Sequence, residues 1–443
     1  MADFKVSGLP LLGSGALDAA ADFLLIADGG TSKKIKPSEL FKGALPFAEP
    51  MFDFAKGTLP SGVSLTRAST GYRYNASGVL VSEATDVARF QYDPVAFSSH
   101  GLLVEEAETN DLQRSAEIDN AYWSKQQVTI VANAIAAPDG TTTMDKMVED
   151  VSAAQGHYIR RTCSYVTGTT YIASFFAKAG ARSWVWVDHP SQAFTTLQRT
   201  YFDLTNGVVG TIGSTTTAYM QHVGGGVYYC AIVATATATI SAYLQIGLAP
   251  SDGGAIYTGN GVSDAYFWGL QLSSASSVQS YIQTTTVAVT RAADVALITN
   301  PLVLTDRCWV IKGRTPRRVI SSSTPTIFQV DDGSESNRLL IRYADGGTLN
   351  AIATVGGTTQ CNIATAVVAG DTDFTIAVRW ADNNFAVSLN GGAIITDLAG
   401  TVPANLTAAR VGRGFSTGYW NSTIKSIETR RTATDTELPL LSS

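Results

Sequence analysis

The chain has 443 residues, of which 45% are hydrophobic and only 15% are charged, and its formal net charge is −6. A net negative chain lacks the basic face that phosphate backbones require, so nucleic acid is excluded as an expected partner. The charged fraction is well below the roughly 25% of a typical soluble domain. Ser, Thr, Asn and Gly must therefore cover most of the surface, which is typical of β-sandwiches, and the length predicts two or three domains.

Residues 1–46 differ in composition from the rest of the chain. They predict a short helix, an apolar strand at 23–27, a turn at "DGGT", a basic return strand and a capped helical turn at "PSEL". So small a module buries little area by itself, so we expect it to oligomerise or to dock on another protein. The leading "MADFKVSG" has no basic stretch followed by an apolar core, so no signal peptide is expected.

The remainder of the chain predicts strands almost throughout. Short alternating runs fill 47–100, and 101–287 is a nearly unbroken series of strands with turn residues every 8–12 positions or so, the pattern of an antiparallel sandwich. The most apolar window, "VYYCAIVATATATISAYLQIGL", alternates at period two and predicts one or two strands, so no membrane insertion is expected.

The block 288–443 is again rich in strands, and "TIAVRWADNNFAVSLNGG" predicts a hairpin that turns at "ADNN". The fold class is therefore all-β, with two antiparallel β-sandwich (jelly-roll) domains after the N-terminal module. The triplet Thr-Arg-Ala occurs twice, at 66–68 and 290–292. We interpret the two copies as flanking an inserted domain, so that residues 47–100 pack against the last sandwich.

Catalytic motifs are absent from the sequence. It contains neither a GxSxG elbow nor an HExxH helix, and its four histidines are scattered. "VDDGSES" places three carboxylates close together but predicts a hairpin turn first, and "GRGFSTG" predicts a turn rather than a phosphate loop. The four cysteines lack metal-site spacing and are expected to be free thiols. We expect no enzymatic activity.

Several sequence segments resemble those of structural proteins of tailed bacteriophages. They are "GTLPSGVSLTRASTGYRYNASG", "GLLVEEAETNDLQRS" and "YIQTTTVAVTRAAD", together with "DFLLIADGGTSKKIKPSEL" at the N-terminus and "ARVGRGFSTGYWNSTIKSIETRRTATDTEL" near the C-terminus. The chain resembles tail fibres and receptor-binding spikes in which a jelly-roll like that of carbohydrate-binding modules precedes a concanavalin A- or laminin G-like sandwich.

The resemblance implies a domain order and a function. Residues 1–46 would attach the chain to other virion proteins and form a homotrimer, 101–287 would be the jelly-roll, and 288–443 the lectin-like sandwich. The protein would be made in the host bacterial cytoplasm, become part of the virion and adhere to host-surface glycans. Two alternatives remain: a capsid decoration, head-fibre or tail collar protein without adhesive function, and a polysaccharide-degrading tailspike.

Aromatic side chains are the expected glycan contacts, because they stack on the apolar faces of sugars. Trp184 and Trp186 lie two residues apart and so share one face of a strand. If Val185 and Val187 face the core, the two tryptophans form a binding surface on the outside of the sheet. If the tryptophans face the core instead, they are core residues. The sequence leaves both alternatives open. Tyr201, Tyr243 and Tyr257 are further candidates for a glycan groove. Trp420, at a loop, either contacts a ligand or covers the rim of the last sandwich.

A structural calcium ion is a further expectation from the resemblance, since such jelly-rolls often hold one. Asp264, just before the predicted strand "AYFWGLQL", occupies the position of one ligand. Calcium needs six to eight oxygen ligands, and the sequence does not identify the others. A plain turn role for Asp264 is the alternative.

Overall fold

The structure is a computed structural model that describes residues 24–28, 31–35, 52–299, 305–317 and 324–443. It contains two compact units, residues 1–50 and 51–443. The first contains an antiparallel hairpin of β1 (Leu24–Asp28) and β2 (Thr31–Ile35). The predicted strand and return strand are thus confirmed, whereas the two predicted helical segments lie outside the described residues.

The second unit is built almost entirely from strands, which we number in chain order. Those before the jelly-roll are β3 (Phe52–Asp53), β4 (Val63–Thr66), β5 (Gly71–Tyr74), β6 (Leu80–Glu83), β7 (Phe90–Tyr92), β8 (Ser99–Val104) and β9 (Glu108–Asn110).

The jelly-roll strands are β10 (Ser124–Gln126), β11 (Val128–Ile135), β12 (Met144–Glu149), β13 (His157–Tyr165), β14 (Thr170–Ala179), β15 (Trp184–Asp188), β16 (Thr200–Asp203), β17 (Val208–Val209), β18 (Thr217–His222), β19 (Val227–Thr235), β20 (Ile240–Ala249) and β21 (Asp264–Ser273). One short helix, α1 (Ser191–Phe194), follows β15.

The strands after the jelly-roll are β22 (Val289–Arg291), β23 (Val295–Ile298), β24 (Cys308–Arg314), β25 (Thr326–Asp331), β26 (Arg338–Tyr343), β27 (Thr348–Val355), β28 (Thr358–Val367), β29 (Asp373–Arg379), β30 (Phe385–Leu389), β31 (Ile395–Asp397), β32 (Ala408–Val411) and β33 (Ser422–Arg430). Helix α2 (Glu437–Leu441) lies near the C-terminus.

Two six-stranded antiparallel sheets form the jelly-roll. The front sheet has the order β10-β13-β20-β15-β16-β17, and the back sheet has the order β11-β12-β21-β14-β19-β18. Alternate side chains from both sheets fill the space between them, among them Phe175, Phe202, Leu244 and Phe267. The apolar window at β19 and β20 is a pair of strands, as predicted, and no helix in the described residues is long and apolar enough to cross a bilayer.

The second sandwich combines strands from both sides of the jelly-roll. Its seven-stranded sheet has the order β28-β27-β26-β25-β32-β23-β4, and its eight-stranded sheet β31-β30-β29-β24-β33-β8-β7, with β3 also paired to β33. Alternation sets the exposed and buried faces, as in β28, where Cys361 and Ile363 are buried and their neighbours are not. The all-β class with antiparallel sandwiches is confirmed.

The chain leaves and rejoins the second sandwich at one short ribbon. Strands β9 and β22 pair antiparallel, with Glu108 opposite Arg291. The hairpin of β5 and β6 packs on the outer face of the back sheet, where Tyr74 and Leu80 meet Phe176. The two sandwiches therefore share a packed junction within a single compact unit.

Local predictions in the second sandwich are also confirmed. Strands β29 and β30 form the predicted hairpin, and "VDDGSES" is the turn that joins β25 to β26. All four cysteines are free thiols, and burial raises the pKa of Cys163 and Cys361 to about 12.

Candidate functional site

The outer face of the front sheet carries an aromatic layer. On β15, Val185 and Val187 are fully buried between the two sheets, while Trp184 and Trp186 point to the opposite face. The valine face belongs to the core between the sheets, as the first interpretation requires. Trp186 is nevertheless buried in a second apolar cluster on the outer side of the sheet, so only Trp184 remains partly accessible. The tryptophans lie on the side of the sheet that faces away from the back sheet.

Strand pairing brings further aromatic residues into this layer. Gly247 of β20 is paired with Tyr158 of β13 on one side and with Trp186 of β15 on the other. Trp186 is in turn paired with Tyr201 of β16. The glycine is required here because a Cβ atom would lie 2.6 Å from the Trp186 ring. We call the outer surface formed by Tyr158, Trp184, Trp186, Tyr201 and Tyr243 the aromatic face.

Polar side chains form a second row beside the aromatic row. Gln245 is opposite Arg160 on one side and Asp188 on the other. Burial raises the pKa of Asp188 to about 6, partly offset by Arg199, whose guanidinium donates to its carboxylate at 2.9 and 2.7 Å. The same guanidinium stacks over Trp186, with its Cζ 4.0 Å from the ring centroid.

Arg160 is the charged group of the aromatic face that lacks a carboxylate partner. Its guanidinium stacks on Tyr243, with Cζ 4.2 Å from the ring centroid, and Tyr243 is 43% exposed. In the part of the chain that the structure describes, no carboxylate pairs with Arg160, and its Nε has no hydrogen-bond partner. Because Nε is itself buried, an incoming anionic or polar group would be bound through the terminal amino groups of the guanidinium.

The other predicted aromatic residues differ in accessibility. Trp184 is half-buried, because Gly210 lies so close to its ring that a Cβ atom would come within 2.5 Å. Trp186 and Tyr201 are buried, at 1% and 5% exposure, so neither can offer its ring to a ligand, contrary to expectation. The indole N–H of Trp186 instead donates to the Leu248 carbonyl at 2.9 Å.

Tyr257 belongs to a structural network beside the aromatic face. Its hydroxyl donates to Glu149 at 2.7 Å, and its ring stacks on His157 with centroids 4.4 Å apart. Arg182 also donates to Glu149, at 2.8 and 2.7 Å. These contacts hold the half-buried Tyr257 in the fold, and its role in a ligand groove stays a prediction.

Trp420 is a core residue of the second sandwich, so of its two interpretations the exposed ligand contact is wrong. The side chain is 0% exposed, lies near Phe374 with centroids 5.9 Å apart, and donates from Nε1 to the Thr423 carbonyl at 3.3 Å. The loop that carries it folds inward because the Trp420 amide donates to the Gly412 carbonyl at 2.8 Å.

Asp264 does not fit a calcium site. Its carboxylate lies 2.7 Å from the Lys146 ammonium and accepts the Ala181 amide at 3.1 Å. Both partners are donors, and a cation would have to displace the ammonium group. Among the described residues no group of three or more His, Cys, Asp or Glu side chains could hold a metal. Asp264 is an ion-pair residue in this structure, and its partners favour the structural alternative over the calcium ligand.

Three accessible members of the site were missed by sequence analysis: Tyr158, Arg160 and Gln245. Alternation in "HYIRRTCSYV" could have placed the first two on one face of a strand. Nothing local, however, indicates that β13 pairs with β20 and β20 with β15, which is what assembles the surface.

No family model and no curated protein matches this chain. Among solved structures it is similar to the CBM40 of Ruminococcus gnavus IT-sialidase bound to α2,3-sialyllactose, at 15% identity and a TM-score of 0.27, covering 32% of this chain and 86% of that one. It is also similar to a SAP-like pentraxin from Limulus polyphemus, at 12% identity and a TM-score of 0.23, covering 31% and 70%. A Trypanosoma rangeli sialidase in complex with sialic acid gives 10% identity and a TM-score of 0.26, covering 72% and 62%. TM-scores this low do not establish a relationship.

Proposed function

We propose that this chain is an adhesive protein that binds glycans on the aromatic face. The observation that carries the proposal is the combination of the exposed Tyr243 and half-buried Trp184 and Tyr158 with Arg160 and Gln245 on one sheet surface. Flat aromatic rings suit the C–H faces of a pyranose, while amide and guanidinium groups suit its hydroxyls.

A carboxylated sugar is the preferred ligand class. Among the described residues no carboxylate pairs with Arg160, and a planar guanidinium can bind a carboxylate through two parallel hydrogen bonds. The nearby Asp188 does not compete with the ligand for Arg160, because it is buried and already paired with Arg199. An acidic monosaccharide therefore complements the surface better than a neutral one.

The proposed action is binding without turnover. Glycoside hydrolysis needs two carboxyl groups that both reach the glycosidic bond. Three carboxylates of the described residues lie on or beside the aromatic face: Asp188, paired with Arg199, Asp203, which accepts the Thr205 amide at 2.9 Å, and Asp252, which accepts the Thr211 amide at 2.9 Å. The first two are buried, and all three have partners in the fold. Release of reducing ends from a bound polysaccharide would favour the tailspike alternative.

Glycan-array binding of the full chain tests the proposal. We expect binding to carboxylated glycans, loss of binding in Tyr243→Ala, and retention in Phe97→Ala, an exposed aromatic on the second sandwich. Absence of binding to every glycan on the array would leave the non-adhesive structural role as the better hypothesis.

The finer proposal is a bacteriophage tail fibre or receptor-binding spike. It is supported by the fibre-like phrases in the sequence, with residues 1–46 as the attachment and trimerisation module. Trimers would present three aromatic faces. Linking weak sites in one particle raises their overall avidity, because each bound site increases the effective concentration of the glycan at the others. Native mass spectrometry of the full chain tests the trimer, and an electron micrograph of labelled particles tests the location. A monomeric mass would argue against both.

A further inference from the structure

A cleft lies where the two sandwiches meet, away from the aromatic face. We call it the inter-sandwich cleft and define it by Tyr74, Gln221, Tyr229, Arg317, Asn421 and Thr423, which all line it. Its volume is about 100 Å³, several times the space that one water molecule needs. Both the jelly-roll and the second sandwich contribute walls, so the cleft exists only in the assembled unit.

We propose that the inter-sandwich cleft is a second binding site, which takes one neutral pyranose unit of a glycan. This inference goes beyond the aromatic face and does not rest on glycan binding there. It is carried by three features of the cleft: its aromatic wall, its paired charges and its unpaired hydroxyl groups.

The aromatic wall belongs to the jelly-roll and the hairpin packed on it. Phe176 and Tyr229 project from the outer face of the back sheet, Tyr74 comes from β5, and Tyr281 follows the last jelly-roll strand. Phe176 lies against Tyr229 and Tyr281, with centroids 5.0 and 6.0 Å apart. A sugar ring can therefore place an apolar face on this wall.

The charges of the opposite wall are already balanced. Arg314 donates to Asp371 at 2.8 Å, and Arg317 lies 3.3 Å from the same carboxylate while donating to Gln221 of the jelly-roll. Arg73, at the edge of the cleft, donates to Glu83 at 2.8 Å. All three arginines that line the cleft thus have carboxylate partners, which disfavours an anionic ligand and favours a neutral polar one.

Two buried hydroxyl groups of the lining have no hydrogen-bond partner among the residues that the structure describes. They belong to Tyr74, 8% exposed, and Thr423, 4% exposed. Burial raises the pKa of Tyr74, and the charge of Arg317, which also lines the cleft, acts against that rise. A buried polar group without a partner costs free energy, and sugar hydroxyls can supply the missing donors and acceptors.

The test uses the full chain and four probes: the methyl glycosides of glucose, galactose, mannose and N-acetylglucosamine. Binding is measured by saturation-transfer NMR and calorimetry, and stability by thermal unfolding without probe. At least one probe is expected to bind. Tyr74→Phe removes only the hydroxyl. This variant is expected to lower the affinity for that probe by about three- to tenfold and to leave the melting temperature of the protein unchanged or higher. Thr423→Val should act in the same direction.

Controls on the aromatic face separate this proposal from the previous one. Arg160→Gln and Tyr243→Ala are expected to leave the affinity for the neutral probes unchanged, and Tyr74→Phe is expected to leave binding to the carboxylated glycans of the array unchanged. The inference is overturned if no probe binds, if Tyr74→Phe retains full affinity, or if probe binding disappears with Tyr243→Ala. A lower melting temperature of Tyr74→Phe without loss of affinity would also overturn it, since the hydroxyl would then bind water alone.

Discussion

The Arg67 guanidinium lies 3.0 Å from the Asp294 carboxylate, although 227 positions separate the two residues and both side chains are fully buried. The pair is one part of a buried ion network. Arg89 contacts Asp294 and also donates to Glu105 at 2.6 Å, and Arg291 lies 3.1 Å from Glu105. Both Thr-Arg-Ala triplets therefore place their arginine in one cluster.

The network lies where the chain leaves and rejoins the second sandwich. Glu105 follows β8, and its carboxylate accepts the amide of Ser280, which lies beyond the last jelly-roll strand, at 2.7 Å. Arg291 belongs to β22, the return strand of the ribbon. The repeated arginines thus belong to one network: Arg67 pairs with Asp294 and Arg291 with Glu105, and Arg89 contacts both of these carboxylates.

Removal of one arginine should destabilise the whole second unit. Arg67→Met leaves part of the Asp294 charge uncompensated in the interior, so we expect the free energy of unfolding to fall by about 3–5 kcal/mol. Chemical denaturation followed by circular dichroism measures this change. Arg114→Met is the matched control: its pair with Glu117 is 30% and 40% exposed, and such pairs contribute about 0–1 kcal/mol. Equal losses in the two variants would contradict a role for the network.

The sequence predicted the strands better than the surfaces they form. Period-two alternation identified hairpins such as β29–β30, because that signal is local. The pairs Arg67–Asp294 and Arg160–Tyr243 depend on which strands become neighbours, which no local pattern specifies. The spacing of Trp184 and Trp186 put them on one face but could not tell which face is buried. The predicted exposure of Trp420 was wrong because contacts with distant strands decide its burial, and its position in a loop does not reveal those contacts.

The stability of the chain should depend on pH through Glu108. Burial raises the pKa of Glu108 from 4.5 to about 7; Arg291 lowers it, and Glu105 and Glu106 raise it further. Between these values the unfolded chain has lost a proton that the folded chain retains. The free energy of unfolding therefore falls as the pH rises from about 4.5 to 7 and levels off above that range.

The variant Glu108→Gln should remove this dependence, because an amide does not titrate. Urea unfolding at a series of pH values measures the slope, and Glu117→Gln, on the surface, is the control. A smaller slope of the same sign should remain up to about pH 6 from Asp188, whose pKa is also raised. An unchanged slope in Glu108→Gln would show that Glu108 ionises in the folded chain as it does when unfolded.

Calcium should not stabilise the jelly-roll through Asp264. Because the carboxylate is paired with Lys146, we expect the same melting temperature in excess EDTA and in millimolar calcium chloride. Asp264→Asn should lower the melting temperature slightly in both solutions, by weakening a partly exposed ion pair. A rise with calcium that disappears in Asp264→Asn would restore the metal site.

The two tryptophans of β15 should separate binding from stability. Trp184 is half-buried at the aromatic face, so Trp184→Ala is expected to weaken binding of a carboxylated glycan by about tenfold or more with a small change in melting temperature. Trp186 is buried beneath Arg199, so Trp186→Ala should lower the free energy of unfolding by about 3–5 kcal/mol. Calorimetric titration and denaturation of both variants measure the two effects. Because the residues are two positions apart on one strand, a general disturbance of β15 would change both properties in both variants. Only direct contact with the glycan at Trp184 predicts that the two effects separate.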